Sequence, residues 1–219
     1  MARKKLGLVH TSATLVAPFA ELCKEHLPDV AVFNIVDDSL IKDVIEKGEL
    51  TTATTRRVLA HVTAAEQAGA DQILVTCSSI GPAVEASAHF VETPVLRVDQ
   101  PMADEVVQRG PRIGVIATLP TTLEPTSDLV RRRALAAGKT IELTSRLCEG
   151  AFEALMSGDA QRHDAMVLAA LKELIATVDV VALAQASMAR VAQQIAPAPG
   201  QATILASPPL AVQRLAQLL

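Results

Sequence analysis

The sequence contains no tryptophan and no tyrosine, and only four of its 219 residues are phenylalanine. Proteins that bind single-stranded nucleic acid stack its bases on aromatic side chains, and this chain has almost none to offer. It also lacks a basic tract, since the net charge is −4 and acidic and basic residues are interspersed. A phosphate backbone would therefore find no positively charged surface, and we expect no nucleic-acid partner.

Long apolar runs are absent as well. No stretch reaches the roughly 18 consecutive apolar residues of a membrane-spanning helix, so we expect no membrane association. The apolar run after the basic N-terminal residues covers only 6–9, which is too short for a secretory signal. Cysteine is rare: Cys23, Cys77 and Cys148 are far apart and odd in number. No pair has the spacing of a metal finger, and we expect free thiols in a cytoplasmic protein.

The common cofactor and catalytic motifs are missing too. The sequence has no G-x-G-x-x-G, no P-loop and no G-x-S-x-G elbow. No group of His, Asp and Glu has the spacing of metal ligands. We therefore expect a reaction that uses neither a cofactor nor a metal ion.

What the sequence does have is apolar residues, which make up 50% of the chain and can form a sizeable core. Short runs rich in Val, Ile and Leu alternate with longer stretches of helical spacing, such as 55–68. The runs that predict strands are 6–9, 30–35, 72–75, 95–98, 112–117, 140–143, 179–183 and 203–205. Uninterrupted apolar strands joined by helices are typical of parallel sheets covered on both faces, so the sequence predicts an α/β fold.

The second half of the chain repeats the first. Residues 5–11 (KLGLVHT) match 112–118 (RIGVIAT), with Gly7 aligned to Gly114. Residues 71–80 match 179–188, and 95–96 match 203–204 at the same offset. We therefore predict two pseudo-symmetric, Rossmann-like lobes, each a four-stranded parallel sheet with helices on both faces. Lobe 1 covers 1–99 and packs with the C-terminal helix 206–219, a crossover helix and linker cover 100–111, and lobe 2 covers 112–205.

The position of a binding site follows from this architecture. In an open parallel sheet, ligands bind beyond the carboxyl ends of the strands, where the strand order reverses. We therefore expect the active site in a cleft between the lobes. The segments predicted to line it follow the first and third strands of each lobe, at 10–14, 77–80, 118–122 and 185–188.

Cys77 is the leading candidate for a catalytic residue. It ends a predicted strand and precedes a helix start that Gly81 and Pro82 mark. A thiol at a helix N-terminus is expected to have a lowered pKa. A small buried core residue is the alternative interpretation. The polar neighbours Thr76, Ser78 and Ser79 argue against it, because hydroxyl and backbone donors can bind a carboxylate.

The segment from Thr76 to Ser79 resembles the first cysteine motif of the Asp/Glu/hydantoin racemase superfamily, with Ser78 in place of the usual Asn. The segment 114–118, followed by Thr121 and Thr122, resembles the second-lobe motif of the same superfamily. This resemblance implies two lobes related by a pseudo-twofold axis. It also implies cofactor-independent racemisation or epimerisation at an acidic carbon next to a carboxylate or amide.

The sequence departs from this pattern in the second lobe. A two-base racemase carries one thiol in each lobe, one to remove the proton and one to return it. The second thiol should fall where Gln185 stands, and glutamine does not titrate. Gln185 can still orient a carboxylate or an enolate oxygen through its amide, or it can cap the following helix.

Other residues compete for the remaining roles. His10 and Cys148 are candidates for a second acid or base, although His10 can equally bond a nearby backbone group and Cys148 follows a strand away from the switch point. Ser12, Thr121 and Thr122 can bind substrate or cap helices. The candidate substrate-binding residues are Ser12, Thr76, Ser78, Ser79, Thr118, Thr121, Thr122, Gln185 and Ser187.

Three functions remain open. The first is a racemase- or epimerase-like isomerase of a small carboxylate, such as an amino acid or hydantoin, with Cys77 as acid and base. The second is a one-thiol decarboxylase or lyase of a malonate-type acid, although the decarboxylase of this superfamily carries its cysteine in the other lobe. The third is a non-catalytic carboxylate-binding protein. For each we expect a homodimer or tetramer.

Overall fold

The structure is a computed structural model that describes residues 3–196, 198 and 200–219. Strands and helices alternate along the chain. The first half contains β1 (Lys5–His10), α1 (Val16–His26), β2 (Ala31–Val36), α2 (Ser39–Lys47), α3 (Thr52–Gln67), β3 (Gln72–Val75), α4 (Gly81–Ser87) and β4 (Val95–Arg97). The second half contains α5 (Gln100–Arg109), β5 (Arg112–Ala117), α6 (Pro120–Ala136), β6 (Glu142–Leu147), α7 (Ala151–Met156), α8 (Ala160–Ile175), β7 (Val180–Leu183), α9 (Ala189–Ala192), β8 (Thr203–Ala206) and α10 (Ser207–Leu218). Among the described residues, no helix combines the length and apolar character that crossing a bilayer requires.

The strands form two parallel sheets with the same connectivity. One sheet has the order β2-β1-β3-β4 and the other the order β6-β5-β7-β8. Every strand pair in both sheets is parallel. The order reverses between the first and third strand of each sheet, which is where ligands bind in such folds. The predicted α/β class with two four-stranded parallel sheets is confirmed.

The chain divides into two compact units. Unit 1 comprises residues 1–100 and 208–219, and unit 2 comprises 101–207. In unit 1 the alternation of side chains along β1 supplies two cores. Leu6 and Leu8 pack with residues of α1 and α10, whereas Val9 packs with residues of α2, α3 and α4.

Unit 2 is built in the same way on the face that carries α7 and α8. Ile116 of β5 and Leu183 of β7 pack there with Val167 and Leu171 of α8. All four residues of β7 are buried, as expected for an inner strand of a parallel sheet.

The strand predicted at 140–143 is wrong in its position, because β6 spans Glu142–Leu147. This edge strand lies largely exposed. Its central residues, Thr144, Ser145 and Arg146, are polar, so the strand contains no apolar run that would predict it. Pairing with β5, from Arg112–Glu142 to Ala117–Leu147, defines it instead. The strand predicted at 30–35 is displaced by one residue for a similar reason, since β2 is also an edge strand.

Candidate active site

The segments that follow the third strand have the same local structure in both units. Cys77 follows β3 with φ −129° and ψ 120°, and Gln185 follows β7 with φ −131° and ψ 139°. Each residue precedes a single 3-10 turn, Ser78–Ile80 or Ala186–Met188, and a short α-helix comes next. The duplicated sequence therefore places Cys77 and Gln185 at equivalent positions of two equivalent sheets.

Polar groups surround the sulfur of Cys77. The Thr11 hydroxyl, the backbone N–H groups of Ser79 and Ile80, and the Ser79 hydroxyl act on it as donors, and each lowers the pKa of the thiol. The residue is only partly buried, and it borders the apolar cluster of α2, α3 and α4. Donor groups of this kind stabilise a thiolate over the neutral thiol.

The pKa of Cys77 nevertheless corrects the expectation from the helix terminus. Burial raises the pKa of this thiol above its usual value, and it outweighs the donors of Thr11, Ser79 and Ile80, which lower it. The regular helix begins only at Gly81, after the 3-10 turn, so the thiol does not sit directly on its first turn. The neutral thiol is therefore the resting form of Cys77 near pH 7.

The other two cysteines have apolar surroundings. Cys23 lies in the core between α1 and the sheet of unit 1, and Cys148 lies in the core of unit 2. Burial raises the pKa of each thiol to about 11. Cys148 follows the edge strand β6, so two strand spacings, about 10 Å, separate it from the line of β7 and Gln185.

His10 is fully buried at the end of β1 and is engaged at both ring nitrogens. Nδ1 lies 2.8 Å from Oγ1 of Thr76, and Nε2 lies 3.0 Å from Oδ1 of Asn34. Burial lowers the pKa of the imidazole, although the hydrogen bond to Asn34 opposes this effect. The ring is therefore neutral near pH 7, and it links the end of β1 to Asn34 of β2 and to Thr76 after β3.

This environment predicts a pH-dependent contribution of His10 to stability. Because the folded-state pKa lies below the unfolded value of about 6.5, the unfolded chain binds more protons in the acidic range. The contribution is complete above about pH 6.5 and is lost as the pH falls through that value towards the folded pKa. Chemical denaturation at pH 7.5, 6.5 and 5.5 should show an extra loss on the order of 1 kcal/mol in the wild type relative to His10→Asn. Parallel pH dependences of the two proteins would contradict this assignment.

Gln185 pairs with Thr118 in unit 2. Its Oε1 accepts from the backbone N–H of Thr118 at 2.5 Å and from the Thr118 hydroxyl at 3.0 Å. A backbone N–H can only donate, so the carbonyl end of the Gln185 amide must face Thr118. The two N–H donors of Nε2 therefore point elsewhere, and they have no hydrogen-bond partner within the described residues.

The remaining candidate hydroxyls have different surroundings. Ser12 caps a 3-10 turn at Ala13–Leu15, where its Oγ accepts from the N–H of Thr14. Thr121, at the start of α6, has a buried hydroxyl without a partner among the described residues. Thr122 is buried beside it and Ser187 is partly exposed. In unit 1, Thr76, Ser78 and Ser79 are buried around Cys77.

Two residues at the site of unit 1 were not singled out in the sequence. Thr11 lies in the segment 10–14 that was predicted to line the cleft, and its hydroxyl acts on Cys77 from the position where Thr118 bonds Gln185, so the repeat that aligns 5–11 with 112–118 could have identified it. Arg97, at the end of β4, is fully buried against the start of α4. No local pattern signals a buried arginine, because arginine at the surface is the ordinary case.

The described part of the chain contains no ready site for a metal ion. Within residues 3–196, 198 and 200–219, no three His, Cys, Asp or Glu side chains are grouped so that they could hold a metal ion. The groups around Cys77 are hydroxyl and amide donors, which suit an anion rather than a cation.

Similarity to known proteins identifies the family of this chain. The sequence model described as Asp/Glu/hydantoin racemase matches residues 6–215. The chain belongs to the Asp/Glu/hydantoin racemase family. A comparison with the sequences of curated proteins found no significant match.

Solved structures of similar fold include racemases of three substrates. Glutamate racemase from Bacillus anthracis superposes with a TM-score of 0.78 and 16% identity, over 100% of this chain and 82% of that one. Aspartate racemase from Picrophilus torridus superposes with a TM-score of 0.70 and 13% identity, over 98% of this chain and 94% of that one. Allantoin racemase from Pseudomonas fluorescens superposes with a TM-score of 0.64 and 16% identity, over 99% of this chain and 90% of that one. At these identities the comparison shows the shared racemase fold.

Proposed function

We propose that this protein is a racemase-type enzyme that transfers a proton at the acidic carbon of a small carboxylic acid or cyclic amide, with Cys77 as acid and base and without a cofactor. The observation that carries the proposal is the set of donors around the Cys77 sulfur, which comes from Thr11, Ser79 and Ile80. Membership of the racemase family supports the reaction type.

Cys77 exchanges one proton with the substrate carbon in each direction. As a thiolate it removes the proton, so that the C–H bond breaks, the S–H bond forms and the electron pair moves into a planar enediolate or enolate. As a thiol it returns the proton to the same face of that carbon, so inversion of the substrate needs a second proton donor, a hydroxyl or water, on the opposite face. The donors of Thr11, Ser79 and Ile80 stabilise the sulfur while it is charged, which is when their hydrogen bonds are strongest.

Substrate binding is proposed for hydroxyl and amide donors. Buried hydroxyls are nearly always hydrogen-bonded, so the unpaired Oγ1 of Thr121 favours a ligand oxygen as its partner. The Nε2 donors of Gln185, held outward by Thr118, suit a carboxylate or enolate oxygen in the same way. Names of similar structures include glutamate, aspartate and allantoin racemases, so we propose amino acids and allantoin-like ureides as the first substrates to assay.

Decarboxylation of a malonate-type acid is a second candidate, and the lone active-site thiol favours it. Gln185 does not titrate, Cys148 lies in an apolar core, and both ring nitrogens of His10 are engaged. In this reaction the C–C bond to one carboxylate breaks, CO2 leaves, and the neutral Cys77 thiol protonates the resulting enediolate from one face. Burial favours that neutral form by raising the Cys77 pKa.

Incubation in D2O with a panel of carbon acids tests the proposal. The panel contains glutamate, aspartate, hydantoins, allantoin, and alkyl- and arylmalonates. We expect deuterium at the acidic carbon of at least one acid, followed by NMR and mass spectrometry, and CO2 release only if the second candidate holds. Cys77→Ala serves as the control. Neither exchange nor CO2 release from any acid of the panel would instead support a non-catalytic carboxylate-binding protein.

A further inference from the structure

An ionic cluster of Arg97, Asp99 and Glu85, buried except for Glu85, lies against the end of the Cys77 segment in unit 1. The Arg97 side chain is 1% exposed, and Asp99 is 0% exposed. Arg97 donates to both carboxylate oxygens of Asp99, at 2.7 and 2.8 Å, and to Oε1 of Glu85 at 2.9 Å. Such a bidentate pair fixes the plane of the guanidinium as well as its position.

The guanidinium rests on the backbone of Gly81, the first residue of α4 after the Cys77 segment. A Cβ atom built on Gly81 would lie 2.8 Å from Nε of Arg97, and closer still to Cζ and Nη2. Gly81 has ordinary helical torsions, φ −50° and ψ −45°, so its backbone conformation does not require glycine. Glycine is required because Arg97 occupies the space that a side chain would fill.

Unit 2 provides an internal control, because it builds the same sheet without this cluster. The strand registers align 95–97 with 204–206, one residue beyond the predicted match of 95–96 to 203–204, so Ala206 pairs with Leu183 in β7–β8 as Arg97 pairs with Val75 in β3–β4. Ala189 begins α9 where Gly81 begins α4, and Gln193 follows four residues later, as Glu85 does in unit 1. None of these three residues is charged. The fold thus does not need the cluster, which, among the residues that the structure describes, is formed in the unit that carries Cys77.

We propose that Arg97 is a positioning residue for Cys77: clamped by Asp99 and Glu85, it fixes Gly81 and thereby directs the N–H groups of Ser79 and Ile80 at the sulfur. This inference rests on the proposed role of Cys77. Burying a charged cluster usually costs free energy unless every charge is well paired, and uncharged residues fill the equivalent positions of unit 2. A function at Cys77 explains why unit 1 keeps it.

Other ionisable groups border the segment. His10 bonds Thr76 from the end of β1, and the Asp37–His61–Arg57 group lies between β2, α2 and α3. The Cys77 pKa responds chiefly to burial and to the donors of Thr11, Ser79 and Ile80. The position of these donors is therefore the quantity that a change at Arg97 should alter.

The test is the pH dependence of Cys77 alkylation by iodoacetamide, followed by peptide mass spectrometry on the intact chain. Arg97→Lys keeps the positive charge and loses the bidentate pairing with Asp99. Gly81→Ala keeps all three charged residues, but its added methyl group displaces the Arg97 guanidinium. In both variants we expect the apparent pKa of alkylation to rise and the rate at pH 8 to fall at least about tenfold. Controls are Ala189→Gly, the reverse exchange at the equivalent helix start, and Arg146→Met, which breaks the exposed pair with Glu173.

A purely structural role would lower the melting temperature and leave the alkylation profile unchanged below it. Wild-type profiles in both Arg97→Lys and Gly81→Ala would overturn the proposal. A wild-type alkylation profile in Arg97→Lys alone would show that the bidentate pairing of Arg97 with Asp99 is not required. If one variant does not fold, the profile of the other decides. Because alkylation is measured without substrate, its outcome is independent of turnover, and the proposed function fails separately if Cys77→Ala remains active.

Discussion

Replacing Cys77 with alanine is expected to reduce turnover by at least about 10²- to 10⁴-fold, the usual contribution of a general acid or base. The variant removes the only thiol in the described residues that hydrogen-bond donors surround, and the small alanine leaves the fold of unit 1 in place. Initial rates on the acid that the D2O panel identifies measure the effect. The loss should appear in kcat, because proton transfer occurs after binding.

The matched controls are Cys23→Ala and Cys148→Ala. Both thiols are buried in apolar cores, so each substitution is expected to cost stability and leave turnover nearly intact at a temperature well below unfolding. A Cys148→Ala variant as inactive as Cys77→Ala would show that unit 2 supplies an essential thiol. Comparable activity in all three variants would mean that no cysteine carries the reaction.

The pH dependence of the rate separates the two candidate reactions. Burial places the Cys77 pKa above its usual value, so the thiolate fraction near neutrality is small and rises tenfold with each pH unit. If the thiolate removes a proton from the substrate, kcat/KM should increase about 100-fold between pH 6 and pH 8. If the neutral thiol donates a proton after loss of CO2, the rate should stay nearly constant over this range.

Measurement of kcat/KM from pH 5.5 to 9.5 distinguishes these outcomes, with substrates whose carboxylates are ionised throughout. His10 should not contribute a rising limb near pH 6.5, because its lowered pKa keeps it neutral there. A bell-shaped profile with an acidic limb near pH 6 that disappears in His10→Asn would contradict the structural role of His10.

The fold was predictable because its inner strands are short, apolar and repeated. β3 and β7 are buried along their whole length, and β5 was predicted with its observed bounds. β6 was misplaced because an edge strand is defined by its pairing partner, and its exposed Thr144, Ser145 and Arg146 give no apolar signal. Local composition therefore reveals central strands better than edge strands.

The site was only partly predictable for a related reason. The offset between the repeats places Gln185 opposite Cys77 in the alignment, a relation that the sequence alone contains. The direction of the Cys77 pKa was not predictable, because burial arises from packing with α2, α3 and α4, whereas the helix terminus is a local feature. The buried Arg97 was missed because only the fold brings it against Gly81 and Glu85 of α4, whereas Asp99 lies in the turn after β4 and alone does not indicate burial.

Gln185→Cys offers a stereochemical view of the missing thiol. The variant gives unit 2 the residue that unit 1 has at the equivalent position, and Thr118 remains as the neighbour that Thr11 is to Cys77. We expect inversion to increase relative to exchange. The gain should be modest, since a thiol misplaced by ~1 Å can lose ~100-fold in rate.

The central claim is that one thiol, Cys77, handles the proton, and the most direct test follows deuterium incorporation and optical rotation together in the wild-type enzyme. A single thiol removes and returns the proton on the same face. The rate of deuterium incorporation in D2O should therefore be much higher than the rate at which optical activity is lost. The ratio should move towards inversion in Gln185→Cys, and both rates should collapse in Cys77→Ala. If the wild type inverts its substrate as fast as it exchanges the proton, a second acid or base operates, and the single-thiol account is wrong.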